Sequence, residues 1–280
     1  MTDRIAIQGD RGAFSEAAAR KLLGGDIEIV ACRTFDDTFA AVNSGTADAA
    51  VVPIENSLAG SVLRTYELLG TAGLRIVGET LLPIAMNLIA RPGAALHDIR
   101  RVLSHPVALA QCQRFLADHP EIEAVAAYDT AGSVKLIMEH DDVAEAAIAG
   151  EIAAELYDAT IVARDIQDHA ENYTRFLLIA PPNAQRPRGA APHQRLKTTV
   201  LFGAPNTPGA LFRALAAFAL RDINLTKLES RPIAGRPWEY LFYADIAGGI
   251  DDRDVANALN HLREMSETVL VLGSYEAAAE

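Results

Sequence analysis

An α/β domain followed by a small α+β module is the architecture this sequence predicts, and three observations carry the prediction. Short apolar runs alternate with amphipathic segments through the first 180 residues. A proline-rich stretch without periodicity then interrupts the pattern. The remainder follows one strand–helix–strand–strand–helix–strand plan. A chain of 280 residues suggests about two domains. Half of the residues are hydrophobic, which is enough to fill real cores.

In the first part, residues 4–8 read as a strand and 15–23 as a helix. Strands at 27–31 and 49–52 flank a helix at 36–43, and 58–69 reads as helical. Two apolar runs within 75–90 are broken near Pro83. Strands at 101–103, 124–127, 146–149 and 161–163 then alternate with helices at 106–117, 131–140 and 151–157. A strand at 173–180 begins polar. Alternation of this kind implies largely parallel sheets. Residues 181–195, PPNAQRPRGAAPHQR, hold four prolines and read as a linker. Beyond them, 198–202 is a strand and 208–220 a helix with Leu211, Leu215 and Phe218 on one face. Strands at 224–229 and 240–246 turn through Gly235. A helix at 255–265 and a strand at 269–272 complete the βαββαβ order of a ferredoxin-like sandwich.

The formal net charge of -12 disfavours phosphate backbones, so no nucleic-acid partner is expected. It does not forbid an anionic substrate, because local donors outweigh the overall field. Cys32 and Cys112 form neither a CxxC nor a metal-ligand cluster, and free thiols of a reducing compartment are the expectation. The start, MTDRIAIQGD, lacks an apolar secretory core. No apolar run reaches ~18 residues, so no membrane span is expected. The expected location is cytoplasmic.

Polar clusters stand where apolar strands end. Gln8–Glu16, QGDRGAFSE, joins the first strand to the first helix. Gly9 and Gly12 permit tight backbone and Ser15 suits a cap, but the spacing is not that of a dinucleotide loop. It is a turn that either touches a ligand or does not. Glu55-Asn56-Ser57 follows a buried strand at the place where ligands bind in open α/β sheets. Helix capping would explain Asn56 or Ser57, but hardly all three. Ser104-His105-Pro106 has the same form, with Pro106 at a helix start and Gln111 one to two turns inside. His105 is either an acid or base near neutral pH or a structural strand-end residue. Asp129-Thr130-Ala131-Gly132-Ser133 is a third such junction. In Tyr173-Thr174-Arg175-Phe176, Arg175 can grip a carboxylate or form an internal ion pair. Thr174 can pass a proton or merely favour a strand. In the second module, Asn206–Leu211 leads into a helix, and Gly209 permits close approach. Glu229-Ser230-Arg231 ends a strand. An acid and a base near helix amides suit an amino acid, or form a surface ion pair.

Taken together, GAFSEAAA, VPIENSLAGSV, SHPVALAQC, YDTAGS and NYTRFLLIA resemble the prephenate dehydratase family. TPGALFRAL and LESRP resemble an ACT domain of the phenylalanine-binding kind. Seven motifs in family order, with a linker between the two groups, cover nearly the whole chain. The resemblance implies a two-lobed catalytic domain like a type II periplasmic-binding fold over residues 1–181. Its first lobe spans about 1–75 and 173–181, its second about 76–172. A linker at 182–196 and an ACT domain at 197–280 follow. Neither a chorismate mutase bundle nor a dehydrogenase domain is recognisable, so the resemblance is to monofunctional bacterial enzymes.

By the same resemblance, Thr174 is catalytic, and Glu55, Asn56, Ser57, Ser104, Gln111, Thr130, Arg175 and Phe176 bind substrate. Gly209, Ala210, Leu211, Glu229, Ser230 and Arg231 would form a phenylalanine pocket between ACT domains of a homodimer or homotetramer. Two departures stand out. Val107 occupies a position usually held by Gln, and Asp129 is the only acid near the third junction. The implied reaction converts prephenate to phenylpyruvate with loss of CO2 and the ring hydroxyl. Aromatisation drives it, so no cofactor is expected. Arogenate, with an amino group in place of the keto group, is the alternative substrate. A non-catalytic amino-acid sensor is the rival of another class.

Overall fold

The computed structural model describes residues 2–140, 142–184, 195–233 and 235–278. Its first part contains β1 (Asp3–Gln8), α1 (Phe14–Leu23), β2 (Ile27–Cys32), α2 (Phe35–Asn43), β3 (Ala49–Asn56), β4 (Gly60–Ser61), α3 (Leu63–Thr71) and β5 (Arg75–Pro83). Then come β6 (Asn87–Ala90), β7 (Arg101–Ser104), α4 (Pro106–Ala110), α5 (Gln113–Asp118), β8 (Glu123–Ala126), α6 (Thr130–Glu139), β9 (Glu145–Ala149), α7 (Glu151–Leu156), β10 (Thr160–Ala163) and β11 (Tyr173–Ala180). The last part holds β12 (Leu196–Gly203), α8 (Ala210–Ala219), β13 (Leu225–Ile233), β14 (Arg236–Ala247), α9 (Arg253–Met265) and β15 (Thr268–Glu276).

Two sheets build the two-lobed part, ordered β2-β1-β3-β11-β5 and β10-β6-β9-β7-β8, with β4 paired to β3. The chain passes from the first sheet to the second between Pro83 and Asn87 and returns before Tyr173. The second lobe therefore begins near residue 84, later than the expected 76. Only part of the second sheet is parallel. β7 runs parallel to β8 and β9, but β6 runs antiparallel to β9 and β10. β6 arrives through a short connector rather than a crossover helix, so nothing forces it parallel. Leu88, Ile99, Val102, Ala146 and Ile148 are fully buried in the core of this lobe.

By contact density the chain forms two compact units. One is Met1–Thr65 with Thr80–Phe176; the other is Tyr66–Glu79 with Leu177–Glu280. The second unit thus includes most of α3 and the start of β5, segments that precede the second lobe in sequence. The expected linker is largely 185–194, which lies outside the described residues. The C-terminal sheet has the order β13-β14-β12-β15 and is antiparallel, with α8 and α9 packed on one face. This is the ferredoxin-like sandwich the element order predicts. Ala214, Ala217 and Phe218 of α8 are fully buried, while Leu211 and Leu215 are partly covered.

Two expected helices differ. Residues 58–62 are not helical: β3 continues to Asn56, turns, and pairs with Gly60–Ser61 before α3 starts at Leu63. The Asn56 carboxamide oxygen accepts from the Leu58 and Ala59 amides at 3.0 and 2.8 Å, holding a side-chain-closed turn instead of capping a helix. The helix expected at 106–117 is two helices. The Asp168 carboxylate accepts from the Gln113 and Arg114 amides at 3.1 and 2.9 Å and starts α5 afresh. Gln111 consequently ends α4 rather than lying inside a longer helix.

Candidate active site

Between the two lobes lies a cavity of about 490 Å³, a size suited to a small metabolite. Its wall includes Gln8, Phe14, Ser15, Asn56, His105, Gln111, Tyr128, Asp129, Thr130, Thr174 and Phe176, and no Lys or Arg among the described residues. The donors are neutral side chains and helix starts. α1, α4 and α6 all begin at this wall, at Phe14, Pro106 and Thr130. α1 has no side-chain cap, so its first N–H groups provide a partial positive charge there. The β1–α1 junction therefore joins the β3, β7–α4 and β8–α6 junctions at this wall, and the β3 junction reaches it through Asn56 and the turn that follows rather than through a helix start.

Strand periodicity sorts the Tyr173–Phe176 motif. Residues two apart share a face, so Asn172, Thr174 and Phe176 face one side and Arg175 the other. Thr174 and Phe176 line the cavity, and Arg175 does not. Thr174 is 9% exposed, and its hydroxyl accepts from the Asn56 amide nitrogen at 2.9 Å. The same nitrogen donates to Asn172 Oδ1 at 2.7 Å and approaches the Tyr173 carbonyl at 3.2 Å. Asn172 Nδ2 donates to Gln111 Oε1 at 3.2 Å. Gln111, Asn172, Asn56 and Thr174 thus form one chain of hydrogen bonds.

Asn56, Gln111, Thr130, Thr174 and Phe176 are brought together on the wall. Besides Arg175, three other expected residues are not. Ser104 is fully buried and donates to the Ile148 carbonyl at 2.6 Å, away from the cavity. Ser57 accepts from the Tyr173 amide at 3.0 Å and ties β3 to β11. Glu55 sits opposite Ser61 in the β3–β4 ladder. Asp129, given no role from sequence, caps α6 by accepting from Gly132 N at 2.9 Å, and accepts from Asp10 N at 3.1 Å across the lobes. His105 caps α4, its Nδ1 accepting from the Val107 amide. Burial, then the nearby Asp129 and Asp10 charges, push the Tyr128 phenol up, so it faces the cavity as a protonated donor. Sequence reasoning assigned nothing to Asn172, although period-two spacing from Thr174 points to it. Among the described residues, no three His, Cys, Asp or Glu side chains come together to hold a metal.

The expected effector residues lie on two elements of the C-terminal module. Gly209, at φ 73°, starts α8 with Ala210 and Leu211. Glu229, Ser230 and Arg231 lie on β13, with Glu229 and Arg231 on the half-buried face and Ser230 on the exposed one. Arg231 pairs with Glu67 at 3.3 Å.

Comparison with known proteins gives a consistent picture. The family described as Prephenate dehydratase matches residues 5–184, and the ACT domain family matches 198–264. The chain is 45% identical to the Arabidopsis thaliana protein named Arogenate dehydratase/prephenate dehydratase 2, chloroplastic, over 97% of this chain and 72% of that one. A solved prephenate dehydratase from Arthrobacter aurescens in complex with L-Phe has 37% identity and a TM-score of 0.86, covering 98% of this chain and 90% of that one. A structure described as a novel type of quorum quenching acylase has 36% identity and a TM-score of 0.88, covering 98% of both chains.

Proposed function

The chain belongs to the prephenate dehydratase family, and on that premise we propose that it converts prephenate to phenylpyruvate in the cavity between its lobes, under control of L-phenylalanine bound by its ACT domain. The observation that carries this reading is the Thr174 hydroxyl, held by Asn56 in a cavity with three helix starts at its wall. The ring carboxylate leaves as CO2, its bonding electrons aromatise the ring, and the ring hydroxyl departs with a proton as water. Thr174 meets that hydroxyl as proton donor or hydrogen-bond partner. The substrate's carboxylates are matched by Gln111, Thr130, Tyr128 and the uncapped start of α1, fixed dipoles that need no reorganisation. Tighter hold on the carboxylates orients the breaking bond.

Thr174→Ala is expected to lower kcat about 10²-fold or more, the scale of general-acid catalysis, with the unfolding midpoint unchanged. Phenylpyruvate formation is the readout, and near-normal turnover would remove Thr174 from the chemistry. The same incubation with arogenate decides the substrate's side chain, since the relatives carry both names. A second reading, acylase activity, comes with the structure described as a quorum quenching acylase. Release of a carboxylic acid from an acylated substrate, with prephenate untouched, would favour it.

The regulatory part of the proposal places phenylalanine near Gly209–Leu211 and Glu229–Arg231, between ACT domains of a homo-oligomer. β13 is an edge strand of its sheet, and Phe212, Leu220 and Trp238 are each more than 70% exposed on this module, which suits burial by another copy. Phenylalanine acts through its different affinity for more and less active states. Cytoplasmic location is part of the reading; Cys32 and Cys112 are free thiols, as a reducing compartment keeps them.

A further inference from the structure

We propose that Asn172 is a positioning residue that sets the hydrogen direction of two groups on the cavity wall, the Thr174 hydroxyl and the Gln111 amide. The inference rests on the reading of Thr174 as the group that meets the departing hydroxyl. Asn172 is 1% exposed and does not line the cavity, so it acts through its neighbours.

The Asn56 carboxamide can be oriented in only one way. Its oxygen takes the backbone N–H groups of Leu58 and Ala59, so its nitrogen must be the end facing β11. That nitrogen carries two hydrogens. Asn172 Oδ1, at 2.7 Å, takes one, which leaves the other to Thr174 Oγ1 at 2.9 Å, nearer than the Tyr173 carbonyl at 3.2 Å that shares this nitrogen. A hydroxyl that accepts this N–H keeps its single hydrogen for another partner, and Thr174 lines the cavity. Asn172 therefore helps turn a hydroxyl of either possible direction into a donor toward the substrate.

The same residue polarises Gln111. Because Asn172 Oδ1 faces Asn56, its nitrogen is the end left to donate to Gln111 Oε1. The Gln111 oxygen is thereby engaged behind the wall, and its NH2 is the end free for a substrate carboxylate. Asn172 is itself anchored: its backbone carbonyl accepts from the Ile84 amide at 2.7 Å, where the chain enters the second lobe. One buried carboxamide thus fixes a donor on each lobe. In an asparagine both ends matter, and substitution can separate them.

The test measures kcat and KM for prephenate in Asn172→Asp and Asn172→Ala, each as a ratio to the unsubstituted chain, with thermal unfolding as the check on folding. Turnover by the unsubstituted chain tests the functional reading by itself. Asn172→Asp keeps an oxygen for Asn56 but offers no N–H to Gln111, whose amide then reverses and presents its oxygen to the cavity. KM is expected to rise about tenfold, with kcat kept within about threefold. Asn172→Ala frees the Asn56 amide and is expected to lower kcat about tenfold or more. Equal loss of kcat in both variants, or both constants within about twofold of the unsubstituted values in Asn172→Ala, overturns the proposal. If Asn172→Ala does not fold, Asn172→Asp decides: a raised KM with kcat kept supports it, while a lowered kcat or two unchanged constants overturns it.

Discussion

Glu16 holds a carboxylate where it is 1% exposed, beside the loop that opens the cavity. Burial pushes its pKa up, but hydrogen bonds from Arg11, the Gly12 amide and Arg20 outweigh burial and hold it below the ordinary value. A lowered folded-state pKa contributes stability above the unfolded value of ~4.3, and that stability is lost as pH falls through the folded value. Glu16→Gln is therefore expected to cost about 1.5–3 kcal/mol at pH 7, the scale of hydrogen bonds to a charged group. The difference should shrink toward pH 3. Thermal unfolding of both proteins across that range checks it, and a pH-independent difference would refute the ionic origin. Side-chain roles were only partly legible at this scale. Asn56, Gln111, Thr130, Thr174 and Phe176 could be picked out because polar residues at the ends of apolar strands are conspicuous. Ser104 and Ser57 looked identical by that criterion, yet the fold gives their hydroxyls to Ile148 and Tyr173. Arg175 was attractive for its charge, but strand alternation turns it away from Thr174.

Elements were legible wherever periodicity was long enough to see. All the strands expected in the first part form, and the βαββαβ order of the last part is complete among the described residues. The errors fell where a side chain, local or distant, took over a backbone end. Asn56 closed a turn that had been expected to be helix, and Asp168 broke one helix into α4 and α5. The loop before α1 shows why its glycines are there. Gly12 has φ 88°, and a Cβ on it would lie 2.9 Å from the Ala153 backbone in α7. Gly24 has φ 85° with open space around it. Gly24, with ψ -177°, sits in a region essentially reserved for glycine, so Gly24→Ala should cost about 1–3 kcal/mol from the backbone alone, and Gly12→Ala about 1–3 kcal/mol more, from overpacking two elements. Chemical denaturation of the two variants measures the difference; equal losses would mean that α7 yields freely.

On the scale of the whole molecule, the C-terminal unit includes a segment of the chain far from it in sequence. The Tyr243 hydroxyl donates to the Tyr66 carbonyl at 2.7 Å, and burial, offset only weakly by Arg231, raises its pKa to about 12, so it stays a donor. Lys197 Nζ meets the buried Glu79 carboxylate at 2.6 Å, and a Cβ on Gly273 would collide with the Ile76 carbonyl. A chain ending at residue 184 would leave Glu79 buried or exposed without its lysine and strip cover from Tyr66–Glu79. It is expected to unfold at a clearly lower temperature than the full chain. An unchanged midpoint in differential scanning calorimetry would show that the segment needs no such cover. By itself the sequence determined the two modules, the order of their elements, the family and the strand ends that carry the chemistry, because these depend on local pattern and motif. Only the tertiary structure decided which of those polar residues face the cavity, that the second sheet is mixed, that Asn172 joins Asn56 to Gln111, and that Tyr66–Glu79 packs with the C-terminal unit. Each of these depends on a backbone or side-chain partner brought from far along the chain, and such pairings leave no periodic trace in the residues that make them.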